Sequence, residues 1–90
     1  MAKIVLFENA NFQGKSLIVK VDTPLVPDAF NDLTSSLIVV SGEWSLYQDA
    51  KYKGNSWKVS VEGGPDGDGA YPTSSDWNGT NDSISSLKQI

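Results

Sequence analysis

Apolar residues recur at every second position in short runs: Ile4 and Leu6; Leu17, Val19 and Val21; Ile38 and Val40; Trp44 and Leu46; Trp57, Val59 and Val61. Alternation of this kind places one side of an extended chain in a core and the other in water, so each run predicts a strand. No stretch sustains a helical period. Gly, Asn, Asp and Pro clusters break the runs at short intervals, which predicts about eight short antiparallel strands in an all-β sandwich. Residues 23–33 and 72–82 are the longer connections. At 90 residues the chain supports one core and one domain spanning 1–90.

The pattern is written twice. Phe7, Phe12 and Gly14 are matched forty residues later by Tyr47, Tyr52 and Gly54, and Ser16, Val19 and Val21 by Ser56, Val59 and Val61. Further on, Asn31-Asp32-Leu33-Thr34-Ser35-Ser36 is matched at an offset of fifty by Asn81-Asp82-Ser83-Ile84-Ser85-Ser86. The second copy therefore carries a ten-residue insertion, most economically placed between Gly63 and Tyr71. Two aromatics five apart around a polar turn allow a hairpin to fold over so that one ring packs on the other. Gly14 and Gly54 then sit where a positive φ or a close backbone approach is needed. Neither copy can bury its apolar face alone, and two units packed face to face close one core.

Composition narrows the chemistry. Seven basic residues, all Lys, against eleven acidic ones give a net charge of −4, which argues against a sequence-independent grip on nucleic acid or an anionic membrane. The chain has no Cys, His or Arg, so thiol chemistry, imidazole catalysis, Cys/His zinc sites and guanidinium clamps are absent. The remaining palette is oxygen: eight Asp, three Glu, six Asn and twelve Ser, suited to a hard cation such as Ca²⁺. A single Asn-Asp-Ser loop is more often a turn or a cap than a metal site. Two such loops at equivalent positions reverse that preference.

An aromatic-x4-aromatic-x-Gly element followed by Asn-Asp-x-x-Ser-Ser, present twice and in order from Phe7 to Ile90, resembles the βγ-crystallin domain, and specifically its microbial calcium-binding branch. The resemblance implies two Greek-key motifs, 1–41 and 42–90, folded into one sandwich with two Ca²⁺ sites built from cross-shared loops. By the same resemblance Ser35 and Ser85, at the fifth motif position, each donate a hydroxyl to the site organised by the other motif. Asn31-Asp32 and Asn81-Asp82 supply further oxygens, and carbonyls after Phe7 and Tyr47, at Glu8 and Gln48, complete the shells. The two copies differ at the third position, where Ser83 of the second stands against Leu33 of the first, which offers only its backbone oxygen. Lens-type relatives that bind calcium poorly often carry Arg at the fifth position; this chain does not.

The same residues bear on other functions. An enzyme lacks a His and a Gly-x-Ser-x-Gly turn to activate a nucleophile. A metal-independent structural or inhibitory module uses the same fold without calcium. A carbohydrate-binding module would need an exposed aromatic platform, for which Trp77 in its long polar loop is the candidate, whereas the other aromatics read as core. The Asp66-Gly67-Asp68 stretch resembles a fragment of an EF-hand loop but lacks a third acidic ligand and a closing Glu, and reads as a surface turn. The Ile4–Phe7 run is too short for a signal peptide or a membrane span, so a soluble monomeric domain is expected; the absence of Cys fits a reducing cytoplasm as well as a secreted bacterial domain, and leaves the compartment open with the cytoplasm slightly favoured.

Overall fold

The computed structural model describes residues 2–26, 34–77 and 84–90. They form seven strands: β1 Lys3–Asn9, β2 Gln13–Val19, β3 Ser36–Ser41, β4 Glu43–Asp49, β5 Lys53–Ser60, β6 Ala70–Tyr71 and β7 Ser86–Gln89. The strands make two antiparallel sheets, ordered β2-β1-β3-β6 and β5-β4-β7. An isolated bridge joins Thr23, at the start of the connection expected over 23–33, to Leu87.

The two repeats exchange segments. β6, from the second repeat, pairs with β3 of the first through Leu37–Tyr71 and Ile38–Ala70. Thr23, from the first repeat, bridges to β7 of the second. Each sheet is thus completed by chain from the other half, so the halves bury their apolar faces together or not at all.

That shared core holds Ile4, Leu6, Val19, Val26, Leu37, Val39, Trp44, Leu46, Val59, Tyr71, Trp77, Ile84 and Leu87, with Leu17 and Trp57 packed against it. β3 departs from the expected parity: its buried apolar residues are Leu37 and Val39, whereas Ile38 is half-buried and Val40 is 47% exposed; Val21 and Val61, also expected inside, lie beyond β2 and β5 and are exposed. Leu37 to Val40 are all apolar, so periodicity alone does not choose the inner face, and the pairing with Leu6 and Tyr71 does.

The insertion lies between β5 and β6. Gly63 passes against the Tyr71 hydroxyl so closely that a Cβ there would overlap it. The same hydroxyl accepts a hydrogen bond from Ser60 N at 3.1 Å, fixing the loop to the end of β5.

Candidate metal centre

The site begins with the two folded hairpins. Between β1 and β2 the chain turns through Asn11 and Phe12 at φ 58° and 62°; between β4 and β5 it turns through Lys51 and Tyr52 at φ 60° and 62°. This left-handed backbone is costly for residues with a side chain, by roughly 1–2 kcal/mol each. It lays the second ring edge-on over the first: Phe7–Phe12 centroids are 5.6 Å apart at 68°, and Tyr47–Tyr52 centroids 5.7 Å apart at 69°. Gly14 and Gly54 follow at φ 81° and 79°, as their spacing predicts, and a Cβ at Gly54 would come within 2.7 Å of the Asp49 carboxylate. These four rings are half-buried on the outside of the sheets, not in the core where they were expected. Odd-numbered residues of β1 and β4 face outward because Ile4, Leu6, Trp44 and Leu46 take the inner face.

Each hairpin is pinned by the last Ser of its own motif. Ser36 Oγ donates to Asn9 O at 2.6 Å and accepts from Phe12 N at 3.0 Å. Ser86 Oγ donates to Asp49 O at 2.6 Å and accepts from Tyr52 N at 3.0 Å. One residue earlier, Ser35 N donates to Phe7 O at 2.9 Å and Ser85 N to Tyr47 O at 3.0 Å. The ladder register skips a residue between Phe7 and Asn9, and again between Tyr47 and Asp49. These bulges take Glu8 and Gln48 out of the paired register beside the buried Ser35 and Ser85. Desolvation pushes the Tyr52 hydroxyl pKa up, with Asp22 and Tyr47 adding to the shift.

The hairpins also reach across the repeat boundary. Asn11 N donates to Pro72 O at 2.8 Å, and Lys51 N to Pro24 O at 2.7 Å. Val26 N donates to Ser85 O at 2.8 Å. The structure therefore brings Gln48 and Ser85 together beside the chain that enters residues 27–33. On the other side Glu8 and Ser35 lie together, and the Asn11–Pro72 bond ties their hairpin to the chain that leads toward 78–83. Asn31, Asp32, Leu33, Asn81, Asp82 and Ser83 lie outside the described residues.

The donor set fits a hard cation. Serine hydroxyls and bulged carbonyls offer oxygen only, which suits Ca²⁺ and not a thiophilic metal. Thr34 Oγ1 is fully buried and without a partner, but its counterpart is the apolar Ile84, so symmetry assigns Thr34 to packing and not to ligation. Among the described residues no group of three or more His, Cys, Asp or Glu side chains converges to hold a metal.

Trp77 is 3% exposed and packs edge-on against Tyr71 at 6.3 Å, so it is a core residue and not a sugar platform. One Ser-x-x-Lys spacing exists, Ser85 to Lys88, but strand alternation puts the two on opposite sides, and Lys88 Nζ lies 5.1 Å from the Tyr52 ring centroid. A cleft of about 240 Å³ lined by Gly42, Glu43, Ser60, Val61 and Glu62 lies by the β3–β4 turn, at the far end from the hairpins. No helix among the described residues is long and apolar enough to cross a membrane.

The Beta/Gamma crystallin family model matches residues 3–90. The chain belongs to the beta/gamma-crystallin family. A βγ-crystallin from Ciona intestinalis is 39% identical over 90 residues, which cover 99% of each chain. A crystal structure of a βγ-crystallin from an archaeon superposes with a TM-score of 0.86 at 35% identity, covering 99% of this chain and 98% of that one. Gamma-crystallin-1 of Xenopus laevis is 36% identical over 91 residues, but this chain spans only 46% of its length. A βγ-crystallin domain of this size thus stands alone in the first relative and makes up about half of the frog protein.

Proposed function

We propose that this βγ-crystallin domain is a non-enzymatic calcium-binding module that takes two Ca²⁺ ions per chain and gains stability from them. One observation supports this above the others: in both repeats a bulge lifts the hairpin residue, Glu8 or Gln48, out of the ladder beside a buried fifth-position serine, Ser35 or Ser85. A bulged carbonyl and a hydroxyl at hand are donors that a hard cation uses. Asn31 and Asp32 are assigned to the site with Ser85 and Gln48, and Asn81 and Asp82 to the site with Ser35 and Glu8; the Val26–Ser85 and Asn11–Pro72 bonds favour that crossed assignment. Leu33 contributes a backbone oxygen, and Ser83 the same with a hydroxyl besides.

Ligands that converge in the fold are scattered in the unfolded chain, so binding adds to folding free energy. The test is thermal unfolding in chelator and in millimolar Ca²⁺. A rise of about 20 °C or more is expected at one hundred times the dissociation constant. Equal melting temperatures would point instead to a metal-independent structural module.

A further inference from the structure

The internal repeat supplies its own control for the two outward sheet faces. Across the middle of the four-stranded sheet the register aligns Ile18, Val5, Ile38 and Ala70 in one row. Val19, Ile4, Leu6, Leu37 and Val39 take the inner face, so this row faces outward, with Val40 beside it. Ile18 is 54% exposed and Val40 47% exposed. The equivalent row of the other sheet is Lys58, Ser45 and Lys88. The same positions of the same repeat are therefore apolar on one side of the molecule and cationic on the other. Strand propensity does not demand this, since Lys58 and Lys88 serve the fold equally well.

We infer that the outer face of the β2-β1-β3-β6 sheet is a self-association surface that pairs with the same face of a second copy of this chain. Charge placement selects the pairing. Along β1 the outward residues are Lys3, Val5 and Phe7, a cation at one end and an aromatic pair, Phe7–Phe12, at the other. A two-fold axis running parallel to the strands sets Lys3 against Lys3. A two-fold axis lying across the strands instead sets the apolar row on its own copy and brings Lys3 over the partner's Phe7. The chain already makes that cation-over-ring contact within itself, between Lys88 and Tyr52. Three strands about 20 Å long and the two-residue β6, about 4.8 Å apart, present roughly 320 Å² per copy. The pair covers roughly 640 Å², well below the about 1,200 Å² of a standard interface, so the dimer is weak, with a dissociation constant on the order of 10⁻⁴ to 10⁻³ M. In dilute solution the chain is then a monomer.

The experiment is sedimentation equilibrium in chelator, which keeps the outcome separate from calcium binding, at concentrations from about 10 µM to about 2 mM. The weight-average mass is expected to rise from 9.7 kDa by 1.5-fold or more across that range. The I18K/I38K variant installs the residues that the second repeat carries at the same places, so it keeps the fold and should stay at the monomer mass throughout. Methyl resonances of Val5, Ile18, Ile38 and Val40 in the unmodified chain should shift with concentration, which tests the surface without any substitution. A mass that stays at 9.7 kDa at about 2 mM overturns the inference. So does association that I18K/I38K leaves unchanged, or methyl shifts that fall elsewhere.

Discussion

Ser36 and Ser86 each satisfy two backbone groups with one hydroxyl, and those groups belong to the strained turn that carries Phe12 or Tyr52. Alanine at either position leaves a donor and an acceptor without a partner, so S36A and S86A should each cost about 2 kcal/mol in urea unfolding. A loss under about 0.5 kcal/mol would show that water replaces the hydroxyl without penalty. The aromatic pairs and the glycines that follow them were legible in the sequence because their spacing is repeated. The left-handed backbone at Phe12, Lys51 and Tyr52 was not, because those residue types do not favour it and only Asn11 does; ring packing and the serine pin impose it. The crossed assignment makes a residue-scale prediction of its own. Ser85→Arg places a cation and removes a ligand in the site with Asn31 and Asp32, fifty residues away, and should abolish that site first. Ser35→Arg should do the same to the site with Asn81 and Asp82. Site-resolved NMR titration checks this, and loss confined to the Asp82 site in Ser85→Arg would refute the crossed arrangement.

At the scale of elements, legibility followed how cleanly each strand alternates. β4 and β5 read correctly because Trp44-Ser45-Leu46 and Trp57-Lys58-Val59 switch between apolar and polar, whereas β7, with only Leu87-Lys88 to alternate, was not among the predicted runs. β3 did not read correctly, because Leu37-Ile38-Val39-Val40 is apolar on both faces and only pairing decides its inner side. The exchange of β6 and of Thr23 between repeats left no mark in periodicity, since a two-residue strand and a single bridge are too short to show one. The place of the insertion was legible from the change of repeat offset, but its anchor was not. That anchor is the Tyr71 hydroxyl, held by Ser60 N and roofed by Gly63. Gly63→Ala must displace it and break the bond to β5, with an expected loss of about 2 kcal/mol in the same unfolding assay. Y71F should add little to that loss in the double variant, because both changes remove one interaction. Additive losses would place the Gly63 effect elsewhere.

For the whole molecule, the described core closes between two sheets that complete each other, and both clamp serines sit inside that closure. Calcium at the proposed sites, whose described members are Ser35 with Glu8 and Ser85 with Gln48, would therefore act on the junction of the two repeats. At one hundred times the dissociation constant each site adds about 2.7 kcal/mol, and the pair roughly 5 kcal/mol, comparable to the whole stability of a small domain. Each motif brings only one carboxylate, Asp32 or Asp82, so dissociation constants on the order of 10⁻⁶ to 10⁻⁴ M are expected, weaker than those of cytosolic calcium buffers. Leu33 in the first motif against Ser83 in the second, at the third position, predicts unequal affinities. Calorimetric titration of chelator-treated protein with Ca²⁺ tests the central claim most directly, because it reads existence, stoichiometry and affinity together. The account predicts saturation at two ions per chain with two distinguishable affinities in that range; saturation at one ion, or no heat of binding at millimolar Ca²⁺, would contradict it.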